Sequence, residues 1–328
     1  MADLGIRDRL NTSSLDHPAV RAWTQLHGLP RMPPRIEVLK AENKKSAVYR
    51  LDYVGPSGSS VIAKQCKLPR LTLERAIYEQ VLPDLPLPTL QFYGSFAEPD
   101  AACGWLFLED AGDERFSSES VEHRALAGQW LGTLHTSVAG EWVKTLRLPR
   151  RGLDFHRESV VLARDTIRES LANPAMSADD LSVLKRILFH CDDVASHWLE
   201  IEKLCNIVPE VLVHGDFAAK NVRVRRRAGA LEILPLDWDG AGWGVPADDL
   251  SQVEAGVYWS IVRRHWPGLT SDAVNRLANI GKIFWNLIPI TGEAETLGSE
   301  WVGNVMRKLR AYEAGIAEAT AAEGWEYS

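Results

Sequence analysis

The sequence predicts an α+β protein of two lobes, an antiparallel-sheet lobe with one inserted helix followed by a mainly helical lobe. Three observations lead there. At 328 residues the chain is longer than one ordinary hydrophobic core organises. Between about residue 36 and about residue 110, short β-branched and aromatic runs alternate with turn residues. Beyond Gly112 the apolar spacing becomes helical, interrupted by one strand–turn–strand. These features set a first lobe at residues 1–110, opened by a helical segment, and a second at 111–328.

The elements follow in order. "HPAVRAWTQLH" (17–27) has helical spacing and stops at Gly28, before the Pro-rich connector "LPRMPPRIE". "SAVYRLDYV" and "SSVIAKQCK" read as strands around the turn "GPSGS". "LTLERAIYEQVL" is helical and ends at Pro83. "LQFYGSF" and "GWLFLED" are strands again. "SVEHRALAGQWLGTLHTSVA" is a long amphipathic helix, and residues 156–205 hold two more helical stretches. From Asp249 onward the pattern is helical, with a loop expected at "IPITGEAETLG". No internal repeat is visible.

Composition excludes several classes. Hydrophobic residues at 45% and charged residues at 25% suit a soluble globular protein, and no apolar run approaches the ~20 residues of a membrane span. The N-terminal "MADLGIRDRLNTSS" has no apolar signal core, so a cytoplasmic location is expected. Cys66, Cys103, Cys191 and Cys205 form no CxxC pair and read as reduced thiols. A net charge of −7 argues against a nucleic-acid partner, and no membrane partner is expected. The one basic cluster, "RVRRRAGA" (223–230), reads as the solvated tip of a hairpin.

The chemistry concentrates in "VLVHGDFAAKNVRV" (211–224) and "LEILPLDWDG" (231–240). A hairpin between them brings Asp237 beside the turn carrying Asp216 and Asn221. Oxygen donors from Asn and Asp suit Mg²⁺, which fills the rest of its shell with water and phosphate oxygens. The remaining carboxylate, Asp216, is available to accept a proton from a hydroxyl. The five-residue step from Asp216 to Asn221, with Asp237 ending the next strand, matches the phosphoryl-transfer arrangement. That arrangement also asks for a Lys on the third strand paired with a Glu on the following helix. Lys64 and Glu74 stand there, with Glu79 as the competing partner on roughly the opposite helix face.

These residues resemble the aminoglycoside phosphotransferase and choline kinase superfamily of protein-kinase-like enzymes. The resemblance rests on "HGDFAAKN", "LPLDWDGAGWGVPADDL", Lys64 with Glu74, and "SAVYRL", across roughly residues 36–255. It implies a two-lobed protein-kinase-like fold and a Mg²⁺-dependent kinase using ATP, with GTP possible. By position it implies Asp216 as catalytic base, Asn221 and Asp237 as metal ligands, and Lys64, held by Glu74, on the nucleotide phosphates. It places the purine against the backbone of Leu108, Glu109 and Asp110, and makes Asp249 a buried brace of the catalytic loop. "LERAIYEQVLP" is also similar to the ecdysteroid kinase-like branch.

Two departures stand out. The expected phosphate loop, "LKAENKKSAVYR", has no glycine, so Ser46 and neighbouring N–H groups take that duty, with Lys44 and Lys45 as solvated or phosphate-facing charges. Ala218 stands where protein kinases usually carry a Lys, which favours a small-molecule hydroxyl acceptor over a protein. Lys220 is left between a phosphate-facing and a solvent-facing role. Acceptor candidates are an antibiotic such as an aminoglycoside, an amino alcohol, a sugar, or an apolar metabolite. An aminoglycoside needs an acidic pocket, for which Glu293, Glu295, Glu300, Glu313 and Glu318 are available. Trp259, Trp285 and Trp301 are candidates to stack on an acceptor or to pack in the core. His135 and His214 read as structural, Trp238 as packing beneath the metal site, and Asp239 as either support or substrate contact. The competing function is a nucleotide-binding pseudokinase that acts by interaction; a protein kinase is a third.

Overall fold

The computed structural model describes residues 9–10, 16–28, 33–40, 46–137, 146–298 and 302–325. Lys44, Lys45, Glu300 and Trp301 lie outside the described residues. Contacts divide the chain into two compact units, one of residues 1–116 and 220–239, the other of 117–219 and 240–328.

The first unit is built on a six-stranded antiparallel sheet. Its strands are β1 (Arg9–Leu10), β2 (Ile36–Lys40), β3 (Ser46–Leu51), β4 (Val61–Lys67), β5 (Phe92–Phe96) and β6 (Cys103–Glu109), in the order β1-β2-β3-β4-β6-β5. Helix α1 (Pro18–His27) covers one face. His17 caps it by accepting from the Ala19 N–H, Pro18 opens it, and Gly28 closes it at φ 72°, a left-handed value that glycine adopts without steric cost. Ala19, Val20, Ala22 and Trp23 of α1 pack on Val61, Ala63, Trp105 and Phe107 of the sheet. Strand side chains alternate faces, so Lys64 is turned away from that core, toward the face where α2 (Leu68–Ala76) runs. The α-helical part of "LTLERAIYEQVL" ends at Ala76, and a π-helical turn, Ile77–Val81, completes it.

The "RVRRRAGA" segment forms most of one strand and the turn of a hairpin, so only its end, from Arg226, is solvated, while Arg223 and Arg225 are half-buried. Strands β9 (Val222–Arg227) and β10 (Ala230–Pro235) are joined by Ala228 and Gly229, both at positive φ, the two-residue turn whose twist matches its strands. The hairpin groups with the sheet of the first unit, although the chain reaches it through the helices of the second. The Val224 N–H donates to Glu114 O at 3.0 Å, the Phe116 N–H donates to Val222 O, and Arg225 pairs with Glu109.

The second unit contains α3 (Val121–Ser137), α4 (Leu153–Ser170), α5 (Ala178–Ser196), α6 (Trp198–Cys205), α7 (Ala255–Val262), α8 (Ser271–Ala294) and α9 (Val302–Ala322). It also holds a small sheet in the order β7 (Arg150–Arg151), β11 (Gly242–Gly244), β8 (Val211–Val213). Three expectations change here. Three helices, not two, occupy the stretch ending at Cys205, because α5 and α6 break at His197. Strand β8 pairs with β11 and not with the strand after the Asp216 turn. The loop expected at "IPITGEAETLG" is helix through Ala294, with a 3-10 turn, Glu295–Gly298, behind it. Pro289 removes a hydrogen bond from that helix, a loss of ~3 kcal/mol in an interior. The same turns bury Ile283, Phe284, Leu287, Ile290 and Ala294, and burying four such large side chains contributes about 1.5–3 kcal/mol each, which outweighs it.

Among the described residues no helix is long and apolar enough to cross a membrane. Helix α8 lies against the turn Pro246–Gln252, which carries Asp249. A Cβ at Gly281 meets Ala247 O at 1.9 Å, so the backbones touch there. Gly281→Ala is expected to lower stability by about 1–3 kcal/mol or more, read by urea denaturation, with Gly292→Ala, which meets nothing within 4 Å, close to wild type.

Candidate active site

Lys64 is the centre of a charge cluster in the first unit. Its ammonium, on a residue 9% exposed, donates to Glu74 Oε1 and to Asp237 Oδ1, each at 2.5 Å. The local reasons are simple. Lys64 is four residues before the start of α2, and Glu74 sits on the buried face of that short helix. Glu79, the alternative partner, pairs instead with Arg75 one turn back, on the exposed side. Asp237 arrives from the hairpin: Pro235 pairs with Val222, and the Leu236 N–H donates to Asn221 O at 2.9 Å. Asp237 and Asn221 are thereby held at the same end of the ladder. Asp237 adopts φ 68°, a left-handed value uncommon for a residue with a Cβ, of the kind that persists where its surroundings over-determine it.

One further contact was not legible as a site feature. Arg70, one helical turn before Glu74, donates to Asp239 Oδ2 at 2.5 Å. The signal that could have found it is the i, i+4 spacing of Arg70 and Glu74 on one helix face. Trp238, between the two aspartates and expected to pack beneath them, is fully buried.

Electrostatics follow from burial and neighbours. For Lys64, burial opposes the charge, but Glu74 and Asp237 override it and the pKa moves up. Glu74 is pushed up to about 7, first by burial, against the pull of Lys64 and with the repulsion of Asp237. Its Oε2 has no hydrogen-bond partner among the described residues.

The other sequence-predicted residues are placed as follows. Ser46, buried, accepts from Lys40 Nζ at 2.8 Å. Leu108 is buried in β6, paired with Ile62 and Phe92. The Glu109 carboxylate accepts from Arg225, and its N–H donates to Gln91 O, so that N–H is already spent. Asp110 accepts from Arg50 and from the Gly112 N–H. Arg50 also reaches Glu37 and Asp113, which locks the end of β6 to β2 and β3.

In the second unit Asp216 is half-buried, on a turn that begins with His214 and Gly215. Asp249, fully buried, accepts from the His214 N–H at 2.8 Å and the Gly215 N–H at 3.0 Å. His135 Nε2 lies 3.2 Å from the same carboxylate, and its Nδ1 lies 2.9 Å from the Tyr258 hydroxyl. The Asp216 N–H faces His214 Nδ1 at 3.4 Å. Gly215 takes φ 72°, and a Cβ there would meet Gly240 O at 2.2 Å, so both the conformation and the space call for glycine. Of the tail glutamates, Glu293 pairs with Lys308, Glu313 with Arg186, and Glu318 lies 3.9 Å from Lys282. Trp259 donates to Leu269 O and lies under the Arg263 guanidinium, while Trp285 is half-buried in α8. Lys220 is exposed.

Among the described residues no group of three His, Cys, Asp or Glu side chains could hold a metal. The donors at the hairpin end are instead one carboxylate, Asp237, and one carboxamide, Asn221. Those oxygens fit a hard cation that keeps water and phosphate in its shell, as Mg²⁺ does.

The comparisons with known proteins give the family and the fold. The chain matches the phosphotransferase enzyme family, APH, over residues 42–279, and it belongs to that family. No curated protein matches it. Among solved structures, the GDP complex of wild-type aminoglycoside 2'-phosphotransferase-IIIa is similar with a TM-score of 0.62 at 14% identity, covering 91% of this chain and 99% of that one. Choline kinase from Cryptosporidium parvum Iowa II gives 0.58 at 11% identity, covering 88% and 91%. Spectinomycin phosphotransferase, in complex with ADP and spectinomycin, gives 0.58 at 12% identity, covering 88% and 93%. The fold is the protein-kinase-like fold of these enzymes, and the protein is a phosphotransferase.

The raised Glu74 has a thermodynamic consequence. Because the folded state holds this proton more tightly than the unfolded chain, the associated stability is complete below about 4.5 and is lost as pH rises through about 7. Glu74→Gln removes the titration. Its stability relative to wild type is expected to rise steadily between pH 4.5 and 7 and then level off, read by chemical denaturation across that range.

Proposed function

We propose that the protein is a Mg²⁺-dependent kinase that moves the γ-phosphate of ATP, or GTP, to a hydroxyl of a small molecule. The observation that carries this is the Lys64–Glu74 and Lys64–Asp237 pairing at 2.5 Å, which holds a nucleotide-phosphate cation and a metal-ligand carboxylate together in one unit. The family match and the naming of its structural neighbours for aminoglycosides, choline and spectinomycin support a small hydroxylated acceptor.

Lys64 binds the α- and β-phosphates, and Glu74 orients it. Ser46 and adjoining backbone N–H groups stand in for the glycine loop of protein kinases. The backbone around Leu108, Glu109 and Asp110 reads the purine, through groups other than the Glu109 N–H that Gln91 already takes. Asp237 and Asn221 would hold Mg²⁺, which when bound neutralises charge on the transferring phosphate. Asp216 takes the acceptor's hydroxyl proton while the new O–P bond forms and the bond to the bridging oxygen of the nucleoside diphosphate breaks. The buried Asp249 fixes the turn on which Asp216 stands, so the base is set before the acceptor arrives. Glu293 and Glu313 are engaged by cations within their own unit, which favours an acceptor of low positive charge over a polycationic aminoglycoside.

A thermal-shift screen of antibiotics, amino alcohols and sugars with a nonhydrolysable nucleotide identifies the acceptor, since a specific binder raises stability by mass action. With that acceptor, Asp216→Asn is expected to lower Mg²⁺-dependent phosphate transfer by at least ~10²-fold. Equal rates in the variant remove Asp216 as base, and a wild type that binds nucleotide but transfers nothing points to a pseudokinase.

A further inference from the structure

The Asp237–Asp239 segment touches the β4–α2 unit at two points, and only the first belongs to the mechanism above. Lys64 reaches Asp237, and Arg70 reaches Asp239 Oδ2 at 2.5 Å. Arg70 and Glu74 stand one turn apart on α2, so one helix face presents a cation to Asp239 and an anion to Lys64. Between the two contacts Trp238 is fully buried and Asp237 is in the left-handed region at φ 68°. Aspartate tolerates that region better than most residues with a Cβ, and here the segment on both sides of it is anchored. The Arg70 and Asp239 side chains are 36% and 23% exposed, and a pair that open to water adds little to global stability. Its effect is therefore local: it fixes the direction of the segment leaving Asp237.

We propose that Arg70 is a positioning residue: by clasping Asp239 it holds Asp237 in the conformation that presents its carboxylate to a metal–nucleotide complex. This rests on the kinase reading for its ligand, but the clasp itself is testable in the unliganded protein.

The experiment compares wild type, Arg70→Met, Arg70→Lys, Asp239→Asn and the double variant Arg70→Met/Asp239→Asn. Hydrogen–deuterium exchange follows the backbone at 236–240 in the free protein. Mn²⁺ titration followed by electron paramagnetic resonance, with a nonhydrolysable ATP analogue present, reads metal affinity. Arg70→Met is expected to speed exchange at 236–240 and to weaken Mn²⁺ binding by about tenfold to a hundredfold, the range for partners that orient a metal ligand. Arg70→Lys is expected to recover part of both effects, and the double variant to lose no more than either single one. Nucleotide affinity without metal and the melting temperature are expected to stay near wild type. Unchanged exchange and unchanged Mn²⁺ affinity in Arg70→Met overturn the proposal, as do additive losses in the double variant. A wild type that binds no metal–nucleotide complex sinks the kinase reading instead, and faster exchange at 236–240 in Arg70→Met still supports the clasp.

Discussion

A buried ammonium shared by two carboxylates is the interaction on which the candidate site of the first unit is built. An ion taken out of water loses several kcal/mol of hydration even after the protein relaxes, and only close, well-directed counter-charges repay that. Lys64 has two of them, from α2 and from the end of the β9–β10 hairpin. Each element is positioned by its own backbone rules: the alternation of β4, the immediate turn into α2, and the ladder register that brings Asp237 beside Asn221. With Arg70 and Asp239 included, and Glu74 ionised, the cluster carries one negative charge in excess. That residual negative charge favours a cation over a bare anion at this cluster.

The second unit solves a different problem, holding a loop without filling it. Asp249 has no solvent contact, so its carboxylate is satisfied by two backbone N–H groups and the His135 ring. A buried acceptor set this way defines the conformation of the residues it binds, because breaking any one bond leaves a desolvated charge short of a partner. Gly215 completes the arrangement by allowing both the left-handed turn and the close approach of Gly240. The two histidines near the site are accounted for by this scaffold and have no need of a direct chemical role.

Neighbours at 11–14% identity with TM-scores near 0.6 illustrate how little of a sequence a fold requires. Core positions accept many apolar side chains of suitable volume, whereas a charge pair or a metal donor accepts few alternatives. The family resemblance is carried in this chain by the short stretches "HGDFAAKN" and "LPLDWDG".

Local chemistry was legible in the sequence alone. Alternating strands from 36 to 110, the helix ended by Gly28, the hairpin around "RVRRRAGA", and the separate pairs Lys64 with Glu74 and Asn221 with Asp237 depend on near neighbours or on a motif of fixed spacing. Tertiary structure decided the rest. It paired β8 with β11, grouped the hairpin with a sheet more than a hundred residues earlier, carried α8 through Pro289, and joined Arg70 to Asp239. Each of those outcomes turns on contacts between distant segments, where a single buried face or ion pair outweighs the local preference of any one residue, and no window along the chain contains both partners.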